Sequence, residues 1–247
     1  MRRLSHIVGW TAGRGSESIS SRLPGRNLYT LQPTPVRICL ALILLATPAI
    51  ALAGAQKYEP LSDSVRAALS RTIADQAPPR TSFRTPLEAV DWLSEMSIRL
   101  AKRMPNREAR LEFLRTVHYE ATRAGLDPQL VLGLIQVESG FKKYAVSSAG
   151  ARGFMQVMPF WIKVIGQPDD NLFHLRTNLR YGCTILRHYL DIEKGDLYRA
   201  LGRYNGSLGK PAYPTMVKGA WHANWLFSPK PTIPGSAPAQ QTNQPPQ

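Results

Sequence analysis

The segment Pro128–Glu138, PQLVLGLIQVE, constrains the fold more than any other part of the chain, because it is apolar on nearly every side. A helix with no polar face has nothing to offer water, so it belongs at the centre of a core made by other helices. Its ends are locally encoded: Asp127 precedes a proline at the first helical position, and Gly140 stops the chain just beyond the last turn. Its sole ionisable group, Glu138, falls in that last turn, on the stripe of Leu134 and Ile135. Burial disfavours the anion, and so does the negative end of the helix dipole. Both favour a carboxyl that stays protonated near neutral pH, as a general acid must. On the residue alone, a partly exposed Glu at a helix end is the competing reading, since charged side chains are seldom fully buried.

The flanking sequence supplies more helices. A short one is expected at 63–74, in a tether covering 56–84. Thr85-Pro86 with Glu88 forms a capping box that opens a helix continued by Val90, Leu93, Ile98 and Leu100 until Pro105. Leu111, Leu114, Val117 and Ala121 make the stripe of a helix over 106–124, closed by Gly125. After a Gly/Ser loop at 142–153, FMQVMPFWIKVIG reads as a short helix interrupted at Pro159, with further helices at 175–192, 197–204 and after Pro211. The expected fold class is mainly α, with the folded domain at 85–227. The Pro/Gln-rich tail at 228–247 carries too little apolar surface to fold and is expected to be disordered.

Ile38–Ala55 is an uncharged run after Arg37, with an apolar core too short to span a bilayer comfortably, Pro48, and the small-residue sites Ala51-Leu52-Ala53 and Ala53-Gly54-Ala55. Residues 1–55 therefore read as an N-terminal extension plus a secretory signal cut after Ala53 or Ala55, which implies export to the periplasm or envelope; an uncleaved leader would instead be a membrane anchor. The formal charge of +14 favours polyanions without choosing among them. With Cys39 removed, Cys183 stands alone, so no internal disulfide is expected, and no residue cluster has metal-ligand spacing.

Four separated motifs share one order and spacing: Glu138-Ser139; Gly150-Ala151-Arg152-Gly153-Phe154-Met155-Gln156; Asn178-Leu179-Arg180-Tyr181-Gly182; and Arg203-Tyr204-Asn205-Gly206. Together they resemble the soluble lytic transglycosylases, over roughly 111–217. Two departures stand out: Phe154 replaces the usual Leu, and Arg203 the usual Ala. The resemblance implies a lysozyme-like helical domain with a substrate cleft. It implies that Glu138 protonates the glycosidic oxygen between N-acetylmuramic acid and N-acetylglucosamine, then takes the proton of the C6 hydroxyl as a 1,6-anhydro end forms. It also implies that Ser147, Gln156, Met158, Tyr204 and Asn205 bind substrate, with Tyr204 hydrogen-bonded to Glu138. No cofactor or metal is implied. The expected partner is a peptidoglycan glycan strand rather than nucleic acid, acted on by a monomer, with an envelope complex as a compatible further partner. A hydrolytic lysozyme on the same fold and a non-catalytic wall-binding assembly factor are the alternatives.

Overall fold

The computed structural model describes residues 56–75, 83 and 85–228. The leader at 1–55, part of the expected tether and the tail after Ser228 lie outside the described residues. Eight α-helices occur among the described residues: α1 (Asp63–Ala74), α2 (Pro86–Leu100), α3 (Arg107–Arg123), α4 (Pro128–Glu138), α5 (Phe160–Ile165), α6 (Leu175–Ile192), α7 (Leu197–Tyr204) and α8 (Ala212–Ala220). A π-helical turn, Trp221–Trp225, continues α8. The fold is mainly α, as the sequence suggests.

Local capping explains most helix starts. Thr85 accepts from the Glu88 N–H at 3.1 Å, Asn106 from Ala109 at 2.9 Å, Asp127 from Gln129 at 2.7 Å and Asp196 from Arg199 at 3.0 Å. Each satisfies an amide that the helix itself leaves without a partner.

α4 occupies the centre and packs against α3, α8 and the π-helical turn. Val131, Leu132, Leu134 and Ile135 are fully buried, each contributing about 1.5–3 kcal/mol by leaving water. Gly133 sets how closely the layers approach: a Cβ there would lie 2.8 Å from the backbone N of Trp221. Trp225 then closes over the end of α4, donating from its indole to Gln136 Oε1 at 2.9 Å.

α3 and α6 pack together around a buried ion cluster. The Glu120 side chain is fully buried, with Arg180 at 3.0 Å, Arg176 at 3.3 Å and Arg123 at 3.6 Å. Arg123 also pairs with Asp75 at 2.9 Å, and Arg180 donates to the carbonyls of Ile73 and Asp75. The end of α1 is thereby tied to the core.

Two expectations change. The first described part of the 56–84 tether is packed rather than free: α1 lies on α5 and α6, and Gln56 and Ile73 are buried. Residues 154–158 are not helical. Arg152 bridges both Val146 and Val157, and Gln156 adopts φ +50°. Asn178 from α6 takes the Met155 N–H, which breaks the local helical option that the apolar sequence suggests.

Candidate active site

Glu138 is the last residue of α4 and is 5 % exposed. Its Oε1 accepts a hydrogen bond from the Tyr213 hydroxyl, brought in by the first turn of α8. Its Oε2 is buried and has no hydrogen-bond partner. Burial pushes the carboxyl up from its ordinary 4.5 to about 8, and the Tyr213 hydrogen bond opposes that rise. No other carboxylate contributes to the shift. The Tyr213 hydroxyl is itself held well above its ordinary value, by burial first and by Glu138 second. It therefore remains a donor, and the proton of the neutral carboxyl belongs on Oε2. A buried polar atom without a partner costs free energy.

The loop 142–158 lies between α4 and α5. Ser147 is half-buried in its tip, where its hydroxyl accepts from the Ala151 N–H at 3.1 Å. Gly153, at φ +76°, is required by crowding as well as conformation: a Cβ would lie 2.4 Å from Asn178 Nδ2. Asn178 clamps the loop by accepting from Met155 N–H at 2.8 Å and donating to Arg152 and Leu172 carbonyls at 2.9 and 2.8 Å. The third sequence motif thus serves to hold the second.

The structure redistributes the expected roles. Tyr204 is fully buried and donates to the Met155 carbonyl at 2.7 Å, so Tyr213, not Tyr204, holds the acid. Tyr204 still lies close enough to feel the Glu138 charge. Gln156 is 1 % exposed, and its side-chain N–H groups go to the Ala145 and Gly153 carbonyls at 3.1 and 2.9 Å. Those donors are occupied by the loop, which leaves them unsuited to a sugar. Asn205 is 7 % exposed and carries a second buried oxygen without a partner, Oδ1, while its Nδ2 reaches Ser207. Met158 is partly buried against the core. Arg203, one of the two motif departures, pairs with Glu193 and Glu59.

Sequence reasoning overlooked Tyr213, which lies 75 positions from Glu138 in the chain. Only its place two residues after Pro211, at the start of a helix, was legible. Elsewhere, His118 is stacked on Phe83 at 3.6 Å, and burial lowers it to about 4. Asp170 accepts from the Tyr181 hydroxyl and from the Gln167 N–H.

Residues 115–213 match the family model described as the Transglycosylase SLT domain. The transglycosylase of Enterobacteria phage PRD1 is 32% identical over 108 residues, covering 44% of this chain and 40% of that protein. The membrane-bound lytic murein transglycosylase C of Mannheimia succiniciproducens is 42% identical over 100 residues, covering 37% of this chain and 28% of that protein. Its namesake in Actinobacillus pleuropneumoniae serotype 5b is 50% identical over 48 residues, covering 19% and 13%. The chain thus spans at most 40% of the length of these relatives. No solved structure matches. All four motifs and the Glu138–Tyr213 pair fall within the matched stretch, which is the part of the chain that is similar to the Transglycosylase SLT domain.

Proposed function

We propose that this chain is a peptidoglycan lytic transglycosylase that cleaves the β-1,4 bond between N-acetylmuramic acid and N-acetylglucosamine, with Glu138 as its single acid and base. The observation that carries this reading is a buried carboxyl held near pKa 8, with one oxygen bonded to Tyr213 and the other without a partner. A glycosidase working through two carboxylates sets them close enough to act on each other. Glu138 shows no such influence.

In the first step the Oε2 proton passes to the glycosidic oxygen, and the bond to the muramoyl anomeric carbon breaks. The muramoyl acetamido oxygen supports that carbon. The carboxylate left behind keeps its hydrogen bond from Tyr213, which compensates for charge in a dry site. In the second step it takes the proton of the C6 hydroxyl, which closes onto the anomeric carbon as a 1,6-anhydro ring. Because Oε2 is closed off from solvent, a glycan reaches it only by displacing the atoms that now cover it. Ser147, Met158 and Asn205 remain the proposed substrate contacts; Tyr204 and Gln156 support them from beneath. The wall substrate and the 38–55 leader fit an enzyme exported to the cell envelope.

The test is digestion of purified peptidoglycan followed by mass spectrometry of the released fragments. Anhydro ends, each lighter by one water than a reducing end, are expected. Reducing ends would make the chain a hydrolase, and binding without release would make it a wall-binding factor. Activity should be level below about pH 8 and fall above it as the acid ionises; a profile level through strongly alkaline pH would contradict the assignment. Tyr213→Phe should lower kcat by about 10-fold or more. It should also move the alkaline limb to higher pH, because the hydrogen bond it removes favours the anion. An unmoved limb would mean that Tyr213 does not act on the acid.

A further inference from the structure

The segment before α1 ends in a buried amide. Gln56 is 4 % exposed, although it lies about a hundred positions from its partners in the chain. Its Nε2 donates to the Gln156 carbonyl at 3.4 Å, and its Oε1 accepts from Met158 N–H at 3.2 Å and from the Trp161 indole at 3.1 Å. The same side chain interacts with the Tyr204 hydroxyl. Both ends of one amide thus hold the chain at 156, 158 and 161.

That stretch needs holding. Gln156 sits at φ +50°, a conformation that non-glycine residues adopt at a cost and that persists only where the surroundings enforce it. Its neighbour Met155 offers the carbonyl on which Tyr204 rests, and Tyr204 lies beside Glu138. Farther along the same segment, Tyr58 packs edge-on to Phe160 at 5.8 Å, and Glu59 forms a two-point pair with Arg203 at 2.9 and 3.0 Å. Residues 56–61 therefore form a strap across the 156–161 backbone and α7. The unusual Arg203 finds its explanation here, as the strap's second anchor.

We propose that Gln56 is a positioning residue of the active site: its amide fixes the Gln156–Met158 backbone, and so sets Tyr204 and the packing around Glu138. This rests on the proposed function above. A plain structural anchor would lower stability when removed and leave the chemistry alone, whereas a positioning residue changes the chemistry too.

The experiment compares Gln56→Met, which keeps the shape and loses the hydrogen bonds, with Glu59→Gln, which loosens only the strap's outer anchor. Gln56→Met should lower kcat about 10-fold with KM nearly unchanged. It should also bring the alkaline limb down toward the ordinary carboxylate range, as water reaches Glu138. Glu59→Gln should leave kcat and the limb as in the parent enzyme. Gln56→Glu, assayed at acid pH where the new carboxyl is neutral, keeps the Oε1 acceptor and should recover most of the rate. If Gln56→Met fails to fold, Gln56→Glu compared at acid and neutral pH reads the same two quantities. Parental kcat and an unmoved limb in a folded Gln56→Met protein would overturn the proposal. The Glu138 titration can also be followed without turnover, as the difference in pH-dependent unfolding between each protein and its Glu138→Gln counterpart. A chain that cleaves no peptidoglycan would refute the proposed function, while that titration would still decide the role of Gln56.

Discussion

If the proposed function holds, Glu138→Gln should abolish peptidoglycan cleavage, with an expected loss of at least about 1,000-fold in kcat. General acid catalysis alone accounts for about 10²–10⁴-fold, and in the proposed mechanism one group gives the proton to the leaving oxygen and later removes one from the nucleophile. The amide can do neither. It also tells apart loss of chemistry and loss of fold, because the substitution should raise stability at alkaline pH. In the native protein Glu138 holds its proton up to about pH 8, whereas the ordinary value is 4.5. The unfolded chain therefore releases that proton first, and native stability is full below the lower value and declines as pH climbs through the window to the upper one. The Glu138→Gln protein has no such decline. Urea unfolding at about pH 5 and about pH 9 should show the variant gaining on the parent at the higher pH. Appreciable cleavage by the folded variant would end the assignment of Glu138.

The second large effect is on folding. Glu120→Ala should destabilise the protein by about 3–5 kcal/mol, the usual result of removing one partner from a buried charge cluster. The carboxylate is fully buried, and the Arg180 it holds is only 5 % exposed. Without Glu120, that guanidinium stays in a dry site with the Ile73 and Asp75 carbonyls and has lost the carboxylate it is paired with. Arg123 and Arg176 would then add like charge nearby. A loss on this scale is a large share of an ordinary domain's total stability, about 5–15 kcal/mol. Urea unfolding should also show that Glu120→Gln, which keeps the shape, is destabilised, because shape is not what matches the arginines. A loss under about 1 kcal/mol for Glu120→Ala would mean that the cluster rearranges or hydrates freely.

Much of this could be seen in the one-dimensional pattern. Thr85, Asn106, Asp127 and Asp196 mark helix starts by chemistry that acts over three residues, so the sequence states it directly. Burial of Glu138 was one of two readings that α4 alone left open, and the four motifs in register favoured it. What escaped depends on partners far away in the chain. Tyr213 and Tyr204 look alike in sequence, and only the packing of α8 on α4 decides that the former meets the acid. The stretch 154–158 has the apolar content of a helix, and a side chain on α6 denies it that conformation. Gln56 resembles any polar residue of a tether until 156–161 is in place to receive it.

The family match stops at Tyr213, inside the first turn of α8. Yet the packing over α4 continues past it, in Val217, Ala220, Trp221 and Trp225. A fragment trimmed to the recognisable 115–213 would retain every motif and leave the underside of α4 wet. Its acid would lose part of the burial that raises its pKa. The packing around α4 and the 156–161 backbone thus draws on residues outside the matched stretch, Gln56 before it and Trp225 after it.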